Sequence, residues 1–141
     1  MEKITFEYND LEGQYALESA WAEKVGDNYK LDNILFYAPG YSLGDIVEVE
    51  NRNGELFVTG LVEESGHTTV RIIFYEDEIV NPTMNQLEEM GCRWEGSNIP
   101  TLMSVDIAPE VDYTLIKRFL NEGEEKDLWS YEESCLAHDV D

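Results

Sequence analysis

The spacing of apolar residues changes about halfway along the chain, and this change limits the folds that the sequence can adopt. In the first half apolar and polar residues alternate, as in Lys3–Tyr8, where Ile4, Phe6 and Tyr8 take every second position. A period of two is typical of a strand with one buried face. Beyond residue 80, apolar residues also recur at helical spacing, as in Met84, Leu87 and Met90. The pattern predicts an α+β fold with a β-rich first half.

Turn residues divide the first half into short antiparallel strands. Asn53-Gly54 separates two apolar runs, and this dipeptide favours a two-residue hairpin because both residues tolerate positive φ. Residues 26–28 and 65–67 carry the further turn sequences Gly-Asp-Asn and Ser-Gly-His. About five or six strands linked by tight turns predict an antiparallel curled sheet or small barrel over residues 1–67.

Capping and stop residues in the second half predict two helices. Asn81-Pro82 has the character of a helix start, and Gly91 that of a helix end. Asp112 is the predicted cap of the second helix, and Gly123 is its predicted end. The apolar stripe of this helix consists of Leu115, Ile116, Phe119 and Leu120.

The order of elements after residue 68 predicts a ferredoxin-like half. Residues 128–136 fit both a strand and a helix by spacing, and the alternation of Trp129 and Tyr131 favours a strand. The order strand, helix, strand, strand, helix, strand is that of ferredoxin-like βαββαβ folds. No linker separates the halves, so we expect residues 1–141 to form a single domain, with an α+β half at 68–141 packed on the β-rich half.

The net charge of the chain limits its partners. It has 31 acidic and 9 basic residues, a net charge of -22, and the acids are spread over both halves. Such a field repels nucleic acid and anionic lipid surfaces and attracts basic proteins. We find neither a secretory leader pattern nor an apolar run of the roughly 20 residues that span a membrane. We therefore expect a cytoplasmic protein with a basic partner; solubility alone is the alternative explanation of the charge.

Motifs that could carry chemistry are weak. Gly40–Gly44 matches the G-x-S-x-G of hydrolase nucleophile elbows, and Asp106 and His138 follow it in the required order. A strand is expected after this motif, however, where a hydrolase has a helix. The histidines and cysteines follow no known zinc spacing: His67, His138, Cys92 and Cys135. We therefore expect no enzymatic activity, no catalytic residue, no metal, no cofactor and two reduced cysteines.

Three segments resemble a family of small acidic bacterial proteins of unassigned biochemistry: residues 18–50, 60–74 and 90–113. The resemblance covers about residues 18–136. It rests on Tyr-Ser-x-Gly-Asp-(Ile/Val)-Val at 41–47 and on the Ser-Gly-His-x-Thr-x-Arg turn at 65–71. A turn that defines the fold explains the second motif as well as a contact site does.

Proteins of this kind resemble the immunity proteins of contact-dependent growth inhibition systems, in which a toxin domain is neutralised in the cytosol. The resemblance implies a one-to-one complex with a basic toxin domain, and a nuclease is the expected class. A nuclease holds phosphates with Lys and Arg, so an inhibitor with many carboxylates can occupy the same groove. The alternative function is an acidic nucleic-acid mimic or a regulatory adaptor without catalytic activity.

The densest acidic stretch provides the first predicted contact surface. From Asn121 to Asp141 there are eight acids and one lysine, with two aromatic residues among them. Aromatic anchors inside a charged rim are typical of tight interfaces. The predicted partner-binding residues are Glu122, Glu124, Glu125, Asp127, Trp129, Tyr131, Glu132 and Glu133. A second predicted surface is Glu63–Glu64 beside His67. The alternative is that Trp129 and Tyr131 occupy core positions.

Overall fold

The first half of the chain forms a closed barrel of five strands. In the computed structural model, which describes residues 1–139, neighbouring barrel strands pair antiparallel and β1 closes the barrel by pairing in parallel with β5. The strands are β1 (Glu2–Asn9), β2 (Tyr15–Val25), β3 (Asn28–Leu31), β4 (Ile46–Arg52) and β5 (Glu55–Glu63). This confirms the predicted curled sheet or small barrel.

Inward-facing side chains fill the barrel, because alternate residues of a strand point to opposite faces of the sheet. The buried set comes from β1, β2, β3, β4 and the loop that follows β3: Ile4, Phe6, Ala20, Ala22, Tyr29, Leu31, Leu35, Ala38 and Val47. The predicted hairpin between β4 and β5 is also present. Asn53 and Gly54 have φ values of 54° and 94°, as a type I′ turn requires.

The second half is ferredoxin-like, as the order of elements predicted. Its elements are β6 (Thr68–Phe74), α1 (Val80–Glu89), β7 (Arg93–Gly96), β8 (Leu102–Ile107), α2 (Tyr113–Glu125) and β9 (Trp129–Cys135). The four strands form an antiparallel sheet in the order β7-β8-β6-β9. The helices supply buried side chains to the core on one face of this sheet. Residues 129–135 are therefore a strand, which confirms the favoured assignment for the last segment.

The predicted start of the first helix was late. A short 3₁₀ turn at Asp77–Ile79 leads directly into α1, and Asn81 already lies inside the helix. Ile79 occupies the cap position without a side-chain hydrogen bond. The predicted end is correct, since Gly91 has a φ of 99°, a conformation that favours glycine after a helix.

Gly123 does not end α2, contrary to the prediction. The helix continues to Glu125, and Gly123 is buried within it. A side chain at Gly123 would overlap the indole ring of Trp129, so glycine is present because strand β9 packs close to the helix. The predicted cap is correct, because the Asp112 carboxylate accepts a hydrogen bond from the backbone N–H of Thr114.

The loop between β3 and β4, residues 32–45, connects the two halves. The hydroxyl of Ser104 on β8 donates a 2.7 Å hydrogen bond to the carbonyl of Leu35. The backbone N–H of Gly40 donates to the carbonyl of Ser134 on β9 at 2.9 Å. The loop therefore contacts the face of the sheet that the helices leave open. Within residues 1–139, no helix has the length and apolar character needed to cross a membrane.

Candidate functional site

A single carboxylate fixes the start of the connecting loop. The side chain of Glu18 on β2 accepts hydrogen bonds from the backbone N–H groups of Phe36, Tyr37 and Ala38, at 2.7, 3.0 and 2.8 Å. Three donors on one carboxylate satisfy backbone groups that the irregular loop leaves without a strand partner. This acid therefore serves the fold.

The segments that carry the family resemblance meet where the two halves join. Asp45 is buried, and its carboxylate accepts hydrogen bonds from the backbone N–H groups of Ser42 and Ser65, each at 2.9 Å. The hydroxyl of Ser65 donates to the carbonyl of Leu43 at 2.7 Å. Residues 41–47 are thus joined to residues 65–71 by buried hydrogen bonds, which hold the loop in place.

The geometry does not assemble the residues of the G-x-S-x-G motif into a Ser-His-Asp triad. Ser42 is fully buried, and its hydroxyl lies 2.6 Å from that of Thr69. The imidazole of His138 bonds to Thr68 Oγ1 at 2.6 Å and to the carbonyl of Ala108 at 2.9 Å. Asp106 pairs with His67 instead. A nucleophilic serine must be exposed and contact its histidine, and neither condition is met here.

His67 and Asp106 form a close pair at the base of the 65–67 turn. The imidazole Nδ1 lies 2.8 Å from a carboxylate oxygen of Asp106, and the side chain of His67 is 21% exposed. Burial raises the pKa of Asp106, although the neighbouring His67 acts in the opposite direction. The pair fixes the orientation of the imidazole. His67, predicted as a contact residue, therefore offers only part of its ring to solvent.

The cysteines are free thiols that lie apart from any metal site. Within residues 1–139, no three or more His, Cys, Asp or Glu side chains are grouped so that they could hold a metal ion. Burial raises the pKa of Cys92 to about 12 and also raises the pKa of Cys135. Both thiols are therefore protonated at neutral pH, and a protonated thiol is a poor nucleophile and metal ligand.

The predicted acids at the end of α2 and on β9 lie on the surface. Four of these acids are exposed at the end of α2 and in the turn to β9, and we call them the α2–β9 surface: Glu122, Glu124, Glu125 and Asp127. Glu132 is also 59% exposed, but it points to the other face of the sheet, where it lies 3.3 Å from the guanidinium of Arg71. The four carboxylates of the α2–β9 surface lie where a cationic partner can reach them.

Three other predicted residues of this stretch serve the fold. Trp129 is only 3% exposed, and its indole N–H donates to the carbonyl of Leu120 at 3.0 Å. Tyr131 is partly buried, and its hydroxyl donates a hydrogen bond to the side-chain oxygen of Asn121. The carboxylate of Glu133 accepts hydrogen bonds from Tyr113 and Lys117, at 2.6 and 3.1 Å. Trp129 therefore belongs to the core and has no ring surface to offer a partner.

The second predicted surface lies at the end of β5. Glu63 and Glu64 are both exposed. Glu63 and Glu64 therefore remain available for contact, whereas His67 beside them is mostly enclosed.

Sequence analysis missed an apolar surface on the barrel. Four large side chains on the outer face of β2 are exposed by 63, 51, 53 and 46%: Tyr15, Leu17, Trp21 and Val25. The inner positions hold the small residues Ala20 and Ala22. The odd-numbered spacing of the large residues was visible in the sequence, but the usual rule would have turned this face inward.

Comparisons with known proteins identify the family of this chain. A family model described as a domain of unknown function (DUF4265) matches residues 18–131. The chain is similar to a solved structure of a hypothetical protein from Neisseria gonorrhoeae, with 30% sequence identity and a TM-score of 0.88. That similarity covers 97% of this chain and 96% of the other. A comparison with curated proteins gave no match. The chain belongs to the DUF4265 family.

Proposed function

We propose that this protein is an immunity protein that binds a basic toxin domain in the cytoplasm and neutralises it. A nuclease is the favoured class of toxin, and the protein needs no catalytic group of its own. The proposal rests on one observation, which is that most of the negative charge is not neutralised within the molecule. Ion pairs with Lys or Arg among residues 1–139 engage four acidic side chains: Glu7, Glu50, Glu132 and Glu133. The chain has 31 acids in all.

The unpaired acids support capture of a cationic protein. Exposed carboxylates occur on both halves of the molecule, including Glu63 at the end of the barrel and Glu122 on α2. A strong negative field raises association rates with basic proteins to about 10⁸–10⁹ M⁻¹s⁻¹ at low salt. The same carboxylates compete with phosphates for the Lys and Arg side chains of a nuclease.

Growth rescue combined with enzyme inhibition tests this function. Each toxin domain that the native host encodes is expressed in a sensitive bacterium with and without this protein. We expect one basic toxin domain to be neutralised, with purified toxin losing activity at one equivalent of inhibitor. The proposal fails if no toxin domain is neutralised and none binds in calorimetry at low salt.

A competition experiment separates immunity from the alternative of a nucleic-acid mimic. The charge is spread over both halves, and such a distribution also fits an acidic mimic. A mimic would displace DNA from many unrelated basic DNA-binding proteins, because its contacts are mainly electrostatic. An immunity protein would inhibit its own toxin and leave these unrelated proteins active at physiological salt.

A further inference from the structure

We propose that the outer face of β2 is the surface on which the basic partner docks, an inference that rests on the proposed function. The β2 face consists of Tyr15, Leu17, Ser19, Trp21, Glu23 and Val25, which alternate along the strand. No predicted contact residue lies on this face. The proposal therefore assigns the apolar part of the interface to the barrel, and the α2–β9 surface contributes only charge.

The exposure of this face is the first argument. Trp21 is 53% exposed and Leu17 is 51% exposed, and both side chains point away from the barrel core. A soluble protein can leave single apolar residues on its surface, but four large ones on one face of a single strand indicate an interaction site. Trp and Tyr are also the residue types that dominate binding energy at interfaces.

The rigidity of the face is the second argument. β2 pairs with β1 over eight residues, from Glu2–Ala22 to Asn9–Tyr15. The hydroxyl of Tyr15 donates a 2.7 Å hydrogen bond to Glu7, whose carboxylate lies 2.9 Å from the guanidinium of Arg52. A surface that is already ordered loses little conformational entropy when a partner binds.

A shallow groove beside the face is the third argument. It has a volume of about 400 Å³, and its lining includes Lys3, Thr5, Leu17, Ser19, Glu55 and Leu56. Leu17 and Ser19 belong to both the groove and the β2 face. The β2 face therefore borders a concave, mostly polar site that can take a side chain of the partner.

Charge complementarity identifies the occupant as a basic protein and argues against a second copy of this chain. Each copy has a net charge of -22, so a symmetric dimer would bring two strongly negative bodies together. Across the strands, Lys3 lies opposite Trp21 and Lys30 lies opposite Glu23, so the attraction comes from the charge of the whole molecule and not from the face itself. An apolar patch on a basic protein fits this surface.

Calorimetry with the toxin domains used in the growth-rescue experiment tests the inference. We expect Trp21→Ala to weaken the binding of the neutralised domain by about 30-fold or more and Leu17→Ala by about fivefold. Leu115→Ala is the matched control, because Leu115 is 52% exposed and lies on α2. The control variant should bind within about twofold of the wild-type protein. Circular dichroism checks that each variant is folded.

The possible outcomes separate the two proposals. If the wild-type protein binds no toxin domain, the proposed function and the docking surface both fail. If the wild-type protein binds and both β2 variants bind equally well, only the docking surface is wrong. A stable wild-type dimer in sedimentation that Trp21→Ala dissociates would assign this face to a second copy and overturn the inference. We expect a monomer at low and high salt.

Discussion

Strands β9 and β2 each contain one tryptophan and two acidic residues, but one tryptophan is buried and the other is exposed. Trp129 is 3% exposed and contacts Phe74 and Phe119, whereas Trp21 is 53% exposed. The difference lies in what covers each strand. Helix α2 packs against β9, and within residues 1–139 the outer face of β2 keeps its large side chains open. An aromatic residue in an acidic strand is thus accessible to a partner only where no second layer covers it.

Under the two proposals, the surfaces have different roles at the interface. Exposed carboxylates on the α2–β9 surface would act at long range and accelerate encounter with a cationic protein. Apolar side chains on the β2 face would act at contact and slow dissociation, because their burial removes them from water. Four experiments can break or sharpen this comparison.

The largest expected effect is the difference in stability loss when each of the two tryptophans is replaced by alanine. Trp129→Ala should destabilise the fold by about 3–5 kcal/mol, because it empties a packed core position. Trp21→Ala should cost about 1 kcal/mol or less, because the side chain is half exposed. Urea denaturation followed by far-ultraviolet circular dichroism measures both values. Similar losses of stability for the two variants would contradict the assignment of Trp129 to the core and Trp21 to the surface.

Whether replacing Gly123 raises or lowers the free energy of unfolding tests how close α2 lies to β9. Gly123→Ala should destabilise by about 1–3 kcal/mol, because the added methyl group would overlap the Trp129 ring. At an open helix position the same change would stabilise by up to about 1 kcal/mol. Denaturation of the single variant and of Gly123→Ala with Trp129→Leu measures the effect. A stabilised single variant would show that the helix and strand are further apart.

Removing charge from the α2–β9 surface should slow association without affecting dissociation. The triple variant Glu122→Gln, Glu124→Gln, Asp127→Asn should lower the association rate by about two- to fivefold at low salt. Trp21→Ala should instead raise the dissociation rate. Stopped-flow binding to the neutralised toxin domain at two salt concentrations measures both rates. A triple variant that changes only dissociation would place a direct contact on α2.

The smallest effect should be a change in the pKa of Glu7, which lies on β1 beside the β2 face. The hydrogen bond from Tyr15, with help from Arg52, lowers the pKa of Glu7. Because this pKa is lower in the folded than in the unfolded protein, the associated stabilisation is present above the unfolded pKa and is lost as pH falls through the folded pKa. Tyr15→Phe should raise the pKa of Glu7 towards its usual value, as measured by NMR titration of the carboxyl carbon. An unchanged titration would show that this hydrogen bond is not maintained in solution.

Local patterns in the sequence determined the elements and their order. The turn at Asn53-Gly54, the cap at Asp112 and the strand at 129–135 depend on backbone preferences and periodicity within a few residues. The curled sheet of the first half and the βαββαβ order of the second follow from these elements. Periodicity also favoured a strand around Trp129, but it could not predict which aromatic side chains another element would bury.

Contacts between distant segments decided the candidate sites. The sequence predicted a helix end at Gly123 because the rule for glycine considers only neighbouring residues. Glycine is needed there because the ring of Trp129, six residues later in another element, leaves no room for a side chain. The meeting of Asp45 with Ser65, and the packing of His67 against Asp106, depend on how the two halves join.

The sequence alone determined the charge of this protein, its α+β class and the positions of its turns, since each of these depends on composition or on neighbouring residues. Only the tertiary structure decided that Trp21 is exposed and Trp129 buried. The physical reason is that burial depends on which second layer packs on a strand, and that layer comes from residues far away in the chain.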